Sequence, residues 1–406
     1  MRNLGEQLRL RLLPTTPGRL TEEARGRYER VARIRERLAE RHFFRNESVA
    51  VLDETLAALN HAERCGAVAE MISGYSALAL GLGMSGLRSG ANYYRRQALG
   101  LAENSDRNSA AARAYLLAAV LGYGTGEWEL TERCADRSLS LFRELGDPAR
   151  THAPLTVQLF SAILRGELAR AGALLADLGA ATALESTGQG KAWHLAATAL
   201  VGVLRGDITI EDADRVREAT AADLVRADRL LCLGVAASAY HRLEEWSQAA
   251  RAAREGLSIL TETGTVWASY VYGVTGIVDV LFDPACSATS ASDENSAALR
   301  TAIRHARRAT RASPVCRPQA LLMRGRLAHL SGRRAKAREM WEKAAACADR
   351  LQMRREHGLA LLEMGRAAAP SDRSGAKLLL RASEIFETIG AFSDLQATRQ
   401  ALRLNS

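Results

Sequence analysis

Aromatic residues make up only 5% of this chain, and proline occurs just eight times in 406 residues. A polypeptide this poor in helix breakers, and dominated by Ala and Leu, favours helices, because those side chains lose little freedom on entering one. No stretch of 18 apolar residues exists, so no membrane span is expected. The N-terminus alternates Arg with Leu and has no small-residue cleavage site, so it does not read as a secretory signal. The six cysteines, Cys65, Cys134, Cys232, Cys286, Cys316 and Cys347, include no C-x-x-C pair. That excludes the usual zinc spacing and suggests reduced thiols in the cytoplasm.

Catalytic motifs are also missing. There is no Walker A loop; the nearest string, Gly188–Gln189–Gly190–Lys191, has the wrong glycine spacing and is followed by Ala192. There is no G-x-S-x-G elbow, and the eight histidines form no H-x-x-x-H pair. Sequence therefore implies no cofactor, no metal and no local catalytic machinery. An acid–base role for the neighbouring Glu244 and Glu245 is less natural than a solvated turn and helix start.

What the chain does contain is a period. Asn46, Gly86, Gly126, Gly166 and Gly206 recur every 40 residues, in the strings RNES, SGLR, TGEW, RGEL and RGDI. The pattern resumes near Glu244–Glu245 and at Gly332, with a degenerate break around Ala369–Gly375. Gly and Asn tolerate the left-handed backbone that ends a helix and turns the chain. Acidic residues follow at Glu47, Glu127, Glu167 and Asp207, where the first turn of the next helix favours negative charge.

Each unit thus reads as helix A, tight turn, helix B and a looser link. The A helices are predicted at 30–44, 69–84, 108–123, 150–165, 190–205, 225–242, 265–282, 316–331 and 355–368. The B helices are predicted at 47–65, 87–104, 128–145, 167–179, 208–221, 246–262, 296–312, 334–351 and 374–389. Several B helices end in related phrases, LAENSD, FRELGD, LTETG and FETIGA. Ala91, Ala171, Ala249 and Ala337 each lie five residues past a turn, where a neighbouring helix must come close. The fold class is all-α, a tetratricopeptide-type α-solenoid. About nine helix pairs would wind into a right-handed superhelix with a concave face. The expected organisation is an N-terminal extension or cap at 1–29, repeats at 30–282, a surface loop at 283–296, and basic repeats with a cap at 297–406.

Taking the turn residue as a phase marker, the concave face comes from helix A positions about 13, 10, 6 and 3 residues before it. This selects Arg113, Leu116 and Tyr123, then Thr156 and Phe160, Trp193, His241, Trp267 and Tyr270, and finally Arg326 and His329. Aromatic and Arg side chains in a groove suit a peptide or other extended ligand. Packing at helix starts is the competing reading for Trp193 and Trp267. An enzyme using His241, Tyr270 and His329 as acid–base groups is a third, locally unsupported reading.

Charge is uneven. Residues 300–356 carry sixteen Lys/Arg against four Asp/Glu, whereas the whole chain is only +9. Arg300, Arg304, Arg307, Arg308 and Arg311 follow helical spacing and define one basic face. It would attract an acidic protein or peptide. Nucleic acid fits less well, because the segment lacks interleaved aromatics and a helix-turn-helix signature.

Several passages carry a family resemblance: GRYERVARIRERLAERHFFRNESVAVLDETLAALNHAERCG, YYRRQALGLAEN, GEWELTERCADRSLSLFRELGD and RPQALLMRGRLAHLSGRRAKAREMWEKAAACADRL. They resemble the C-terminal helical-repeat region of bacterial signalling proteins that join a class III adenylate/guanylate cyclase and a STAND-type AAA ATPase to such an array. The resemblance runs from about Leu4 to Leu402. It implies a sensor or docking arm without the catalytic parts, either encoded alone or belonging to something larger. The expected function is a non-catalytic scaffold for protein or peptide, with a small-molecule sensor as the alternative.

Overall fold

The computed structural model describes residues 2–12, 20–45, 47–105, 109–183, 188–262, 271–287, 292–368 and 373–405. These residues form helices and turns, with no strand among them. They fall into two compact units, residues 1–123 with 127–154 and residues 124–126 with 155–406.

The first unit opens with α1 (Arg2–Leu12), which packs on α3. Its repeat pairs are α2 (Glu22–Phe44) with α3 (Ser48–Cys65) and α4 (Val68–Met84) with α5 (Arg88–Glu103). Then come α6 (Ser109–Thr125) and α7 (Trp128–Glu144). Leu56, Leu59, Ile72, Tyr75, Leu78, Leu141 and Phe142 form its core, each at most 5% exposed. Their removal from water is the main stabilising term for such a layer.

The second unit continues the alternation. Its A helices are α8 (His152–Arg165), α10 (Gln189–Arg205), α12 (Arg226–Arg242), α14 (Val271–Phe282), α17 (Arg317–Leu330), α19 (Arg354–Ala367) and α21 (Phe392–Asn405). The intervening B helices are α9 (Leu168–Thr182), α11 (Ile210–Glu218), α13 (Trp246–Glu262), α16 (Ser292–Ala312), α18 (Arg334–Arg350) and α20 (Arg373–Ile389). A short helix, α15 (Pro284–Ser287), precedes α16. The chain is thus an all-α, tetratricopeptide-type helical repeat.

Two boundaries differ from expectation. The segment 283–296 is not simply a surface loop: α15 occupies its start, α16 has already begun at Ser292, and 288–291 lie outside the described residues. Its apolar positions explain this, since Cys286 is buried under neighbouring helices. The first repeat helix starts at Glu22, not at residue 30, because Thr21 caps it through Oγ1, accepting from the Ala24 N–H at 3.3 Å.

The turns repeat one hydrogen-bond pattern. Gly86, Gly126, Gly166, Gly206 and Gly332 all adopt φ between 73° and 83°. In each case the next residue donates its N–H to the carbonyl five residues back, as in Leu87 to Leu82 at 2.8 Å and Glu167 to Ala162 at 2.8 Å. This is the six-to-one closure of a helix end, and it needs a left-handed residue inside it. Glu244 takes that role at φ 62°, closing Glu245 onto Tyr240 at 2.9 Å. The B helices end alike: Gly66, Gly146 and Gly390 have φ of 66° to 73°, and Gln352 has φ 53°. The phrases FRELGD and FETIGA, with Gly146 and Gly390, are this motif, whereas LAENSD ends its helix at Asn104 with φ -97° and the end of LTETG lies outside the described residues. Asn46 and the break at 369–372 lie outside the described residues.

Close packing follows the predicted small residues. Ala91, Ala171, Ala249 and Ala337 are at most 1% exposed. The acidic residues after the turns sit one position earlier than expected. Glu47, Glu127 and Glu167 are N-cap residues, and their carboxylates make no capping hydrogen bond. They serve ion pairs instead: Glu127 with Arg95 at 2.9 Å and Glu167 with Arg165 at 2.8 Å.

One crossing is closer than the rest. A Cβ on Gly234 of α12 would stand 1.9 Å from the Gly273 carbonyl oxygen of α14, and one on Gly276 would stand 1.9 Å from the Gly234 oxygen. Three glycines therefore let two A helices touch backbone to backbone. No helix among the described residues is long and apolar enough to cross a membrane.

Candidate functional site

Within each unit, the ridge of A-helix positions selected by register is joined from repeat to repeat by polar contacts. In the first unit Arg33 of α2 donates to Glu70 of α4 at 2.7 Å. Arg113 of α6 reaches Glu36 of α2, two repeats back, at 2.9 Å. In the second unit Gln189 and Trp193 of α10 both donate to Asp228 of α12, at 2.7 and 2.9 Å. His241 Nε2 lies 2.8 Å from Asp283 Oδ2. Arg326 of α17 bridges in both directions, to Asp279 of α14 at 2.6 Å and to Glu363 of α19 at 2.8 Å. Arg355 of α19 donates to Asp394 of α21 at 2.6 Å.

The predicted residues therefore divide. Arg113, Trp193, His241 and Arg326 lie on this ridge, partly exposed, each already holding a neighbouring repeat. His329 is exposed, its ring 5.7 Å from that of Trp341. Trp341 itself lies against Gly325, where a Cβ would meet the indole at 2.2 Å. Tyr123 and Phe160 do not face open space: they are 4% and 2% exposed. Register sets a side chain's direction, but an apolar ring gains by being covered, and here neighbouring helices cover both. Leu116 is half-buried and Thr156 is buried. Trp267 and Tyr270 lie outside the described residues.

Sequence reading missed the carboxylate partners. Arg33–Glu70, Arg326–Glu363 and Gln319–Glu356 are each 37 residues apart, and Gln189–Asp228 and Arg355–Asp394 are 39 apart. Complementary polar residues about one period apart are the signal that would have found them.

Electrostatics along the ridge are set by burial. It raises the Asp228 carboxyl above its usual range, against the opposing hydrogen bonds from Trp193 and Gln189. Glu356, fully buried, accepts from Gln319 at 2.8 Å and is pushed up to about 7 by burial, against the pull of Arg355. Burial alone would lower Arg326, yet Glu363 and Asp279 outweigh it and hold the guanidinium firmly charged. All six cysteines are buried and free, and burial pushes Cys232 and Cys316 up to about 12 and Cys286 to about 11. These three are protonated thiols at neutral pH, not nucleophiles. No group of three or more His, Cys, Asp or Glu with metal-binding geometry occurs among the described residues.

Two further features flank the ridge in the second unit. A cleft of about 310 Å³ lies where the α8–α9 turn faces the α18–α19 link, lined among others by Arg165, Glu167, Asp349, Arg354 and His357. On α16 the predicted basic face is present: Arg300, Arg304, Arg307, Arg308 and Arg311 are all exposed.

No protein-family model matches the chain, and no curated protein matches it in sequence. Among solved structures, a monomeric mutant of IFIT1 with m7Gppp-AAAA gives a TM-score of 0.46 at 15% identity, over 95% of this chain and 88% of that one. The human IFIT1 dimer with m7Gppp-AAAA gives 0.42 at 16% identity, over 94% of each chain. At these values the likeness carries no inference about what this chain binds.

Proposed function

We propose that this protein is a non-catalytic scaffold that binds an extended polypeptide along the ridge of its A helices. The observation that carries the reading is the placement of Trp193 on α10, His241 on α12, and Arg326 and His329 on α17, all in one unit and in part accessible. Such a row offers an extended chain aromatic or hydrogen-bonding groups on three of the unit's A helices. Carboxylate partners hold Trp193, His241 and Arg326, so little further freedom of these side chains is lost on binding. The resemblance of the repeat passages to the arm of cyclase–ATPase proteins supports a signalling partner.

Photo-crosslinking tests the reading. A benzophenone amino acid replacing His329, on the ridge, is compared in cells with the same residue replacing Ser258, exposed on α13. A defined protein adduct at position 329 and none at 258 is the expected result; equal labelling at both, or none at either, rejects the ridge as the binding surface.

The cleft lined by Arg165, Glu167, Asp349, Arg354 and His357 favours a second reading, a sensor of a small polar molecule. A metabolite that raises the melting midpoint would select it over the first.

A further inference from the structure

The five arginines of α16 form an exposed row along one face of the helix. On α18 three exposed cations are answered within the helix: Lys336 and Lys343 pair with Glu339, at 2.7 and 2.5 Å, and Arg338 pairs with Glu342 at 3.0 Å. On the A-helix ridge Arg33, Arg326 and Arg355 each hold a carboxylate of the next repeat. From Ser296 to Ala312, α16 has no acidic residue at all. Among the described residues no carboxylate pairs with Arg300, Arg304, Arg307, Arg308 or Arg311.

The opposite face of the helix explains why it stays folded. Leu299, Ala302, Ile303, Ala306, Ala309 and Ala312 are at most 7% exposed, so α16 is fixed by its apolar side. The arginines are then held in one row by packing they do not contribute to. Arg300–Arg304, Arg304–Arg308 and Arg307–Arg311 are like charges one turn apart, an arrangement that opposes helix formation. Their field is felt locally. His305, between them, has its pKa lowered, first by burial and then by Arg308 and Arg304.

We propose that this row is a docking strip for an acidic helical segment of a partner protein. The strip is independent of the A-helix ridge, since it lies on a B helix. Arg300, Arg304 and Arg308 rise by about 6 Å per step, and the row to Arg311 spans about 16 Å. An acidic helix with carboxylates at every fourth position has the same 6 Å repeat over the same three turns. Guanidinium groups suit this occupant, because each can take a carboxylate in a two-pronged bond. A single-stranded nucleic acid would instead require flat side chains for base stacking, and residues 296–312 contain no Phe, Tyr or Trp.

The test uses the full chain and a fluorescein-labelled 15-residue helical peptide with Glu at every i and i+4 position, followed by anisotropy. A 15-nucleotide oligoadenylate RNA serves as the second probe. The expected result is saturable peptide binding that weakens with salt and falls at least tenfold in the double variant Arg304→Glu/Arg308→Glu. The charge-neutral variant Arg300→Gln/Arg311→Gln, checked for retained helicity by circular dichroism, should lose severalfold. Absence of peptide binding, binding unchanged in both variants, or tighter binding of the RNA overturns the proposal. Crosslinking at His329 is read separately, so failure of the ridge leaves this outcome intact.

Discussion

A carboxyl group as deeply buried as that of Glu356 is more stable protonated than ionised. Its folded pKa stands near 7 against 4.5 for the free side chain, with burial as the first cause. The folded state therefore binds more protons than the unfolded state between about pH 4.5 and 7, and stability falls as pH rises through that window. The loss amounts to about 3 kcal/mol at full ionisation. His61, His194, His305 and His357 act in the opposite sense, because burial lowers their pKa and protonation favours the unfolded chain. Comparing the protein with Glu356→Gln cancels these histidines. Glutamine keeps an acceptor for Gln319, so the variant should equal the parent near pH 5 and exceed it by a few kcal/mol at pH 8. Urea unfolding at both pH values measures the difference, and parallel pH profiles would refute it.

The turns show what can be read at the level of elements and what cannot. Glycine every 40 residues marked the helix ends to within a residue or two, because the left-handed closing residue is a local demand that local sequence must meet. Where a non-glycine residue occupies that conformation the signal weakens: Glu244 is found only because it falls near the expected period. Nothing local distinguishes Gln352, at φ 53°, from any surface glutamine. Likewise the carboxylates of Glu70, Asp228 and Glu363 could not be matched to Arg33, Trp193 and Arg326, because their meeting depends on how one repeat stacks on the next. The helix α21 lies beyond the predicted helix pairs, although Gly390 marks its start. The two substituted turns give a prediction. A side chain in the left-handed region costs about 1–2 kcal/mol, part of which glycine returns as unfolded-state entropy. Glu244→Gly and Gln352→Gly should each stabilise by about 0.5–1 kcal/mol in chemical denaturation. Destabilisation by either would mean that the side chain does something the turn geometry does not reveal.

At the scale of the second unit, one property departs from the ordinary behaviour of repeat arrays. In a solenoid each repeat touches only its neighbours, so removing the last helix should disturb the last repeat and leave distant ones alone. Here α21 also meets α10, early in the same unit. Ser393 Oγ donates to the Val203 carbonyl at 2.6 Å, across 190 residues. A Cβ on Gly206 would stand 3.2 Å from Ser393 Oγ, so the α10–α11 turn is fitted to it. Arg242, at the end of α12, donates to Gln396 at 2.8 Å. Nearby, Ile389 and Arg354 approach the Gly166 turn within 3.3 and 3.5 Å of a built Cβ. The unit thus closes on itself, with its last helix resting on turns of its earlier repeats. Closure of so long a loop costs only slowly increasing entropy with length, so a modest set of contacts can hold it. Deleting residues 392–406 should therefore raise amide hydrogen exchange at two places: in α19 and α20 next to the cut, and also around Val203–Asp207 and at the end of α12. Residues 271–282, which lie between these regions in sequence and pack mainly on α12, α13 and α16, should keep their protection. A purely nearest-neighbour array would show loss only at the cut end, and that pattern would refute the closure.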